Sequence, residues 1–245
     1  MWLLRLPQEF HDLSSLRVGN LGVRKPRTIV FSQEMELPAF VAARAAATAG
    51  YRLLVLELFE FLFSVLPYVE VDGPILILLR GDDPEVKGSM NAMREDHEIL
   101  SCTKELGGLC DVSLSLSLTQ LFLSGQDGYR AKRLLEEVQH LEDLDSWGES
   151  KVATIPAPSA VVLSPVLRPA RRTVARYSGL ETLEMGDLPP RGSVLIYTGV
   201  DSHLAKKELS LRGQYYYPLL LDVDPILAPV YAAIVALKLP KLNKR

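Results

Sequence analysis

Four arginines between positions 168 and 176 (Arg168, Arg171, Arg172 and Arg176) form the one local concentration of positive charge in a chain whose net charge is −3. A guanidinium presents a planar fork of donors that matches a phosphate two bonds at a time, so this cluster could hold an oxyanion. The same arginines could instead line a solvated face and pair with Glu181 and Glu184, because exposed charge pairs form readily. Residue types alone leave both readings open. Other chemistries are thinly supplied. His11, His97, His140 and His203 stand singly, without His-x-x-x-His or carboxylate pairing at ligand spacing, and no metal site is expected. Gly-x-Ser-x-Gly, Gly-x-Gly-x-x-Gly and Gly-x-x-x-x-Gly-Lys do not occur, which removes the hydrolase elbow and the standard nucleotide loops; no cofactor is expected. Cys102 and Cys110 make no metal motif and read as two reduced, buried thiols.

Composition narrows the classes further. The chain has 245 residues, 48% hydrophobic, and a mean hydropathy of +0.12, enough core for one large domain or two smaller ones. No uncharged apolar run approaches the ~20 residues that span a bilayer. The most apolar window, Leu53 to Leu66, is interrupted by Glu57 and Glu60 and reads as a buried strand followed by a loop. Met1 to Phe10 lacks the pattern of a secretory signal, so no membrane association and a cytoplasmic location are expected. A pI near 5.9 argues against a general nucleic-acid binder. Asn and Gln are scarce, three and six residues, and loops such as Pro189-Pro190 are proline-rich, which suggests a thermophilic source.

The elements that must position any site come in two similar sets. Thr28 to Phe31 and Ala160 to Leu163 are short apolar strands, each followed by a serine (Ser32, Ser164) and a helix with an early proline (Pro38, Pro169). A second strand, a glycine turn and a third strand follow in both, Ile75 to Leu79 and Val194 to Thr198, then Gly81-Asp82 or Gly199 to Asp201 and a charged helix. Helices are expected at Gln8 to Arg17, Leu37 to Gly50, Glu85 to Glu95, Leu118 to Ser124, Tyr129 to Leu144, Pro169 to Ser178, Ser202 to Arg212 and Pro225 to Leu239. Strands are expected at Leu53 to Leu58, His97 to Cys102, Glu181 to Met185 and Tyr215 to Leu221. Asp111 to Leu116, leucine or valine alternating with serine, reads as a short strand or extended segment. Strands alternating with helices imply parallel sheets with helices on both faces, and ligands beyond the C-terminal strand ends. Asp145 to Pro158, with Gly148, Ser150, Pro156 and Pro158, reads as the linker between a unit at 1–145 and a unit at 158–245.

Several stretches resemble the sugar isomerase (SIS) family of phosphosugar-binding domains, in the double arrangement of the isomerase half of glucosamine-6-phosphate synthase and its deaminase-like relatives. The helix Phe40 to Gly50 with Tyr51 to Leu56 and Phe59-Glu60-Phe61 is similar to the family's helix, strand and Ser-Glu-Phe segment. Asp111-Val112 and Thr119-Gln120-Leu121 resemble its Ala-Asp and Thr-Gln-Leu stretches, and Pro225 to Leu239 with Pro240 to Lys244 its terminal helix and tail. The resemblance implies an α/β fold of two three-layer α/β/α units with parallel sheets, paired as a homodimer, with Pro225 to Leu239 offering apolar area for the pairing. It implies a sugar phosphate as ligand.

Departures from the family fall where chemistry is done. The first turn of unit one, Ser32-Gln33-Glu34-Met35-Glu36, carries carboxylates where the family has a Gly-x-Gly-x-Ser phosphate turn, and like charge repels a phosphate. Unit two is more permissive: by the resemblance, Ser164, Arg168, Thr198, Gly199 and Ser202 are the substrate-binding set. The family's catalytic Glu and His have no counterparts, since the matching helix reads Ala170 to Arg176 and the following loop, Glu184 to Gly192, has no histidine. Glu181, Glu184 or His203 could take over acid–base work if burial tuned them. Glu60 and Lys244 remain as catalytic candidates, Lys244 matching the tail lysine that forms a Schiff base. Two functions stay open: a divergent phosphosugar-binding protein, with isomerase or deaminase-like activity as its enzyme form, or a catalytically inactive scaffold or regulatory protein.

Overall fold

A computed structural model describes residues 13, 16, 18–81, 96–102, 109–139 and 143–240. The chain forms two compact units, residues 1–139 and 140–245. In the first, β1 (Thr28–Phe31) leads through a 3-10 turn (Gln33–Met35) into α1 (Glu36–Thr48). Next come β2 (Leu54–Glu57), α2 (Leu58–Glu60) running on into a π turn (Phe61–Val65), β3 (Ile75–Arg80), β4 (His97–Cys102), α3 (Cys110–Leu123) and α4 (Tyr129–Gln139). The second unit holds α5 (Leu144–Val152), β5 (Val161–Leu163), a 3-10 turn (Pro165–Ala170), α6 (Arg171–Ser178), β6 (Thr182–Glu184) and β7 (Ser193–Thr198). It continues with α7 (Ser202–Arg212), a 3-10 turn (Gly213–Tyr215), β8 (Tyr216–Leu221) and α8 (Ala228–Lys238).

Both sheets are wholly parallel, and their strand orders match: β2-β1-β3-β4 in the first, β6-β5-β7-β8 in the second. The inner strands explain the sequence pattern. β1, β5 and nearly all of β3 and β7 are buried, as continuous apolar runs must be when helices cover both faces of a sheet. The order in which strands are added switches sides between β1 and β3, and again between β5 and β7, which leaves a crevice at their C-terminal ends. The repeat extends to helix ends. Gly50 (φ 69°) and Gly179 (φ 70°) stop α1 and α6, the helix after the first strand of each sheet, in the left-handed region that side chains avoid.

Several expectations need correction. Asp111 to Leu116 is not extended but the first half of α3, buried almost all round. Its hydroxyls mimic strand alternation yet are spent on the helix itself: Ser115 Oγ donates to Asp111 O (2.6 Å) and Thr119 Oγ1 to Ser115 O (2.8 Å). Small buried residues of α1, Ala39, Ala42, Ala45 and Ala46, let α3 pack along it. The loop expected after β2 is helical because Glu57 Oε2 accepts the N–H groups of Phe59 (2.9 Å) and Glu60 (3.2 Å).

Residues 145–152, expected as linker, belong to α5, and Gly148 is a packing residue instead of a turn. A Cβ there would stand 3.2 Å from Lys238 Cγ and 3.4 Å from Ile234 Cγ2 on α8. Trp147 meets Tyr231 edge to face, and the Lys238 ammonium reaches Asp145 and Glu149. Pro225 to Leu239 offers no pairing surface: Ala228 to Ala236 are all buried inside the second unit. A helix that is apolar all round belongs in an interior. Cys102 and Cys110 are not free thiols but a disulfide joining the end of β4 to the start of α3. The expected helices at Gln8 to Arg17 and Glu85 to Glu95 fall outside the described residues, apart from Leu13 and Leu16 in the first. No helix among the described residues is long and apolar enough to cross a membrane.

Candidate functional site

At the crevice of the second unit, Ser164 directly follows β5 and Thr198 ends β7, both fully buried. The turn after β7, Gly199-Val200, then delivers Asp201 to the start of α7. An aspartate at a helix start ordinarily accepts a hydrogen bond from its own first turn. Asp201 makes no such bond. Its carboxylate is turned inward, 3% exposed, toward the strand ends. Oδ1 accepts the Thr198 N–H (2.8 Å) and the Thr198 hydroxyl (2.7 Å), and Oδ2 accepts the Val166 N–H (3.3 Å). The buried Ser164 hydroxyl faces the same carboxylate without closing a well-formed hydrogen bond to it.

The electrostatics follow from this geometry. Burial pushes the Asp201 carboxyl up, but the Ser164 hydroxyl, the Thr198 hydroxyl and the Thr198 and Val166 N–H groups outweigh it, holding Asp201 below the usual carboxylate range. The turns after β5 and β7 thus converge their donors on the Asp201 carboxylate.

The expected binding residues divide around this centre. Ser164 and Thr198 come together at the carboxylate. Arg168 does not join them: it is 69% exposed, and its Nε pairs with Glu184 Oε1 at 3.4 Å. Arg171 pairs with the same carboxylate oxygen at 3.0 Å and donates from Nε to Thr182 O. The solvated-face reading of these two arginines is therefore the one realised. Gly199 is exposed in the turn, and Ser202 opens α7. Glu60 is exposed on α2, its N–H donated to Glu57. Lys244 lies outside the described residues. His203, on the first turn of α7, is exposed.

Asp201 is the residue that the sequence reading missed, although its place after Gly199 was visible. A carboxylate beside hydroxyls and glycine reads as an obstacle to anion binding, and only coordinates reveal that it is the anion.

The crevice of the first unit is neutralised in the opposite sense. Arg80, closing β3, places Nε 3.2 Å from Glu34 Oε2 on the turn after β1, and Nη1 3.7 Å from Asp111 Oδ1. Asp111 is fully buried in the first turn of α3, where the helix end favours negative charge. The Cys102–Cys110 disulfide fixes that helix end, since Cys102 is the β4 partner of Arg80. The acidic turn after β1 thus serves a cation of the chain itself. Among the described residues, no group of three or more His, Cys, Asp or Glu side chains gathers as a metal site.

No protein-family model matches the sequence, and a search of curated proteins gives no match. Solved structures do match. Glucosamine-6-phosphate deaminase of Thermotoga maritima superposes with a TM-score of 0.60 at 14% identity, over 86% of this chain and 84% of that one. The C-terminal domain of glucosamine-fructose-6-phosphate aminotransferase from Francisella tularensis gives 0.51 at 10% identity, over 85% and 82%. In fold, two four-stranded parallel sheets wrapped in helices, the chain is similar to these phosphosugar enzymes.

Proposed function

We propose that this protein keeps the architecture of phosphosugar isomerases and deaminases without their catalysis, and acts as a regulatory or scaffold protein. The observation that carries this reading is Asp201: its carboxylate sits where the loops after β5 and β7 converge their donors, so those donors are satisfied from within. The acid–base candidates among the described residues are engaged elsewhere or exposed. Glu184 is engaged by Arg168 and Arg171, and both Glu60 and His203 are exposed.

A second reading, a divergent sugar-phosphate binder with isomerase or deaminase-like activity, is favoured by the donor set itself, which is chemically suited to a phosphate. One experiment separates them. Fructose 6-phosphate, glucose 6-phosphate and glucosamine 6-phosphate are added to the purified protein, and melting temperature and sugar interconversion are both followed. The proposal expects neither stabilisation nor turnover; a ligand at a hundred times its Kd would add about 2.7 kcal/mol. Turnover of any of the three would overturn it. Binding abolished by Arg168→Ala would restore the second reading. A homodimer belongs to the proposal as well, supported by the exposed, stacked rings of Phe59 and Phe63. Light scattering that returns the mass of one chain would remove that part.

A further inference from the structure

At the other end of the first unit's sheet from its crevice, β1 and β2 begin beside a cavity of about 610 Å³, a size typical of small-molecule sites. Register pairs Thr28 with Leu54, so these two residues stand on one face. Val30 and Leu56, one step further along that face, pack into the core with Leu58, Phe61 and Val65. At Thr28 and Leu54 the core is left open. Leu54 is 48% exposed, and Val69, which lines the same cavity, 55%. Helix α1 contributes only the methyl groups of Ala43 and Ala47 to the wall. Charge gathers at this opening without pairing. Elsewhere opposite charges join, as Arg24 does with Asp96 (2.6 Å) and Arg171 with Glu184 (3.0 Å). Arg27, Arg52, Glu70 and Asp72 line the cavity, and none of them has an ion pair among the described residues. Thr28, 2% exposed, likewise makes no side-chain hydrogen bond to those residues. Gly73 (φ 83°) keeps the Arg27 stem close to the turn that bears Asp72, since a Cβ there would stand 2.9 Å from Arg27 Cδ.

We propose that this cavity binds a small zwitterion with an apolar body, the chemistry of a free apolar amino acid or of a dipeptide built from them. Arg27 and Arg52 take the carboxylate, in the forked geometry that a guanidinium offers, with the Thr28 hydroxyl as a further donor. Glu70 and Asp72 take the ammonium. Leu54, Val65 and Val69 cover the apolar body, whose removal from water drives the binding. Two cations and two anions around one apolar wall match a ligand that carries both charges, and a purely apolar or singly charged molecule would leave one pair of them unused. The cavity lies within residues 27–72 at the N-terminal strand ends. It is therefore independent of the Asp201 centre and of the non-catalytic reading.

The test adds leucine, leucyl-leucine, leucinamide, isocaproate and free glycine to the unaltered protein at millimolar concentration and matched pH and ionic strength. Binding is read by calorimetry and melting temperature. Leucine or leucyl-leucine should bind, and the tighter of the two tells a single amino acid from a peptide. Leucinamide lacks the carboxylate, isocaproate the ammonium and glycine the apolar body, and each should bind at least about tenfold more weakly. Arg52→Ala should erase the preference for leucine over leucinamide, and Glu70→Gln/Asp72→Asn the preference over isocaproate. Ala47→Trp, at an exposed position of α1, should block binding while the circular dichroism signal stays folded. The proposal is overturned if neither zwitterion binds the unaltered protein, if the analogues bind as tightly, or if binding survives in folded Ala47→Trp. Should Ala47→Trp not fold, Arg52→Ala decides by the same comparison. Loss of self-association in Ala47→Trp, with no zwitterion bound by the unaltered protein, would give the cavity to a second copy of the chain and overturn the proposal as well. Sugar-phosphate turnover, which would end the non-catalytic reading, leaves this one untouched.

Discussion

Asp201 carries consequences for acid stability as well as for ligands. Its carboxyl is held below its ordinary value in the folded state, so its ionised form favours folding. The sign is fixed: that stability is fully present above the unfolded-state value of about 3.9, and is lost as pH falls through the lower folded value. Asp201→Ala should cost about 2 kcal/mol at pH 7 by leaving the Thr198 hydroxyl and the Thr198 and Val166 N–H groups without their acceptor. Denaturant midpoints for the two proteins should converge as pH drops below 4. A gap that stays constant with pH would show that the side chain matters by shape and not by charge. Arg168→Ala, by contrast, removes an exposed pair and should change stability by less than about 1 kcal/mol in the same measurement. The sequence displayed Ser164, Thr198 and Arg168 by type but not by partner. Whether an arginine faces a pocket or a neighbouring glutamate depends on where Glu184 ends β6, a distance that no local spacing encodes.

Among the elements, α5 and α3 were misread for related reasons. Gly148 and the serines of α3 are turn and strand signals only when nothing packs on them. Gly148 instead admits Lys238 and Ile234 of α8, and the α3 hydroxyls fold back on their own helix. The inner strands were legible as continuous apolar runs between turns, and the amphipathic helices α4 and α6 by their period; α3, buried almost all round and rich in serine, shows neither mark. Gly148→Leu should therefore destabilise the second unit by about 1–3 kcal/mol, seen as a lowered thermal midpoint. Gly148→Ala should be close to neutral, because gained helix propensity offsets a small shift of the flexible Lys238 stem. The disulfide gives a second test at this scale. It closes a short ring between β4 and α3, and reduction should lower stability by about 2–4 kcal/mol. Cys110→Ser should reproduce that loss in oxidising buffer and make the protein indifferent to reductant; a wild-type midpoint unmoved by reductant would contradict the linkage.

For the molecule as a whole, the duplicated strand order was the most legible property. Two echoing patterns in the sequence correspond to two parallel sheets with the same strand order. The chemistry did not repeat. One crevice sets an arginine beside two carboxylates and the other a carboxylate among donors, so the two units carry opposite charge arrangements at the same place in the fold.

The position of α8 sets an order of events during synthesis. Helix α8 supplies the interior of the second unit yet follows every strand of that unit along the chain. Domains generally mature as they leave the ribosome, the earlier one first. Here strands β5 to β8 emerge with one face uncovered and must wait for residues 228–238 before they can close around anything. A nascent chain stalled short of Ala228 should thus present a protease-sensitive second half beside a settled first.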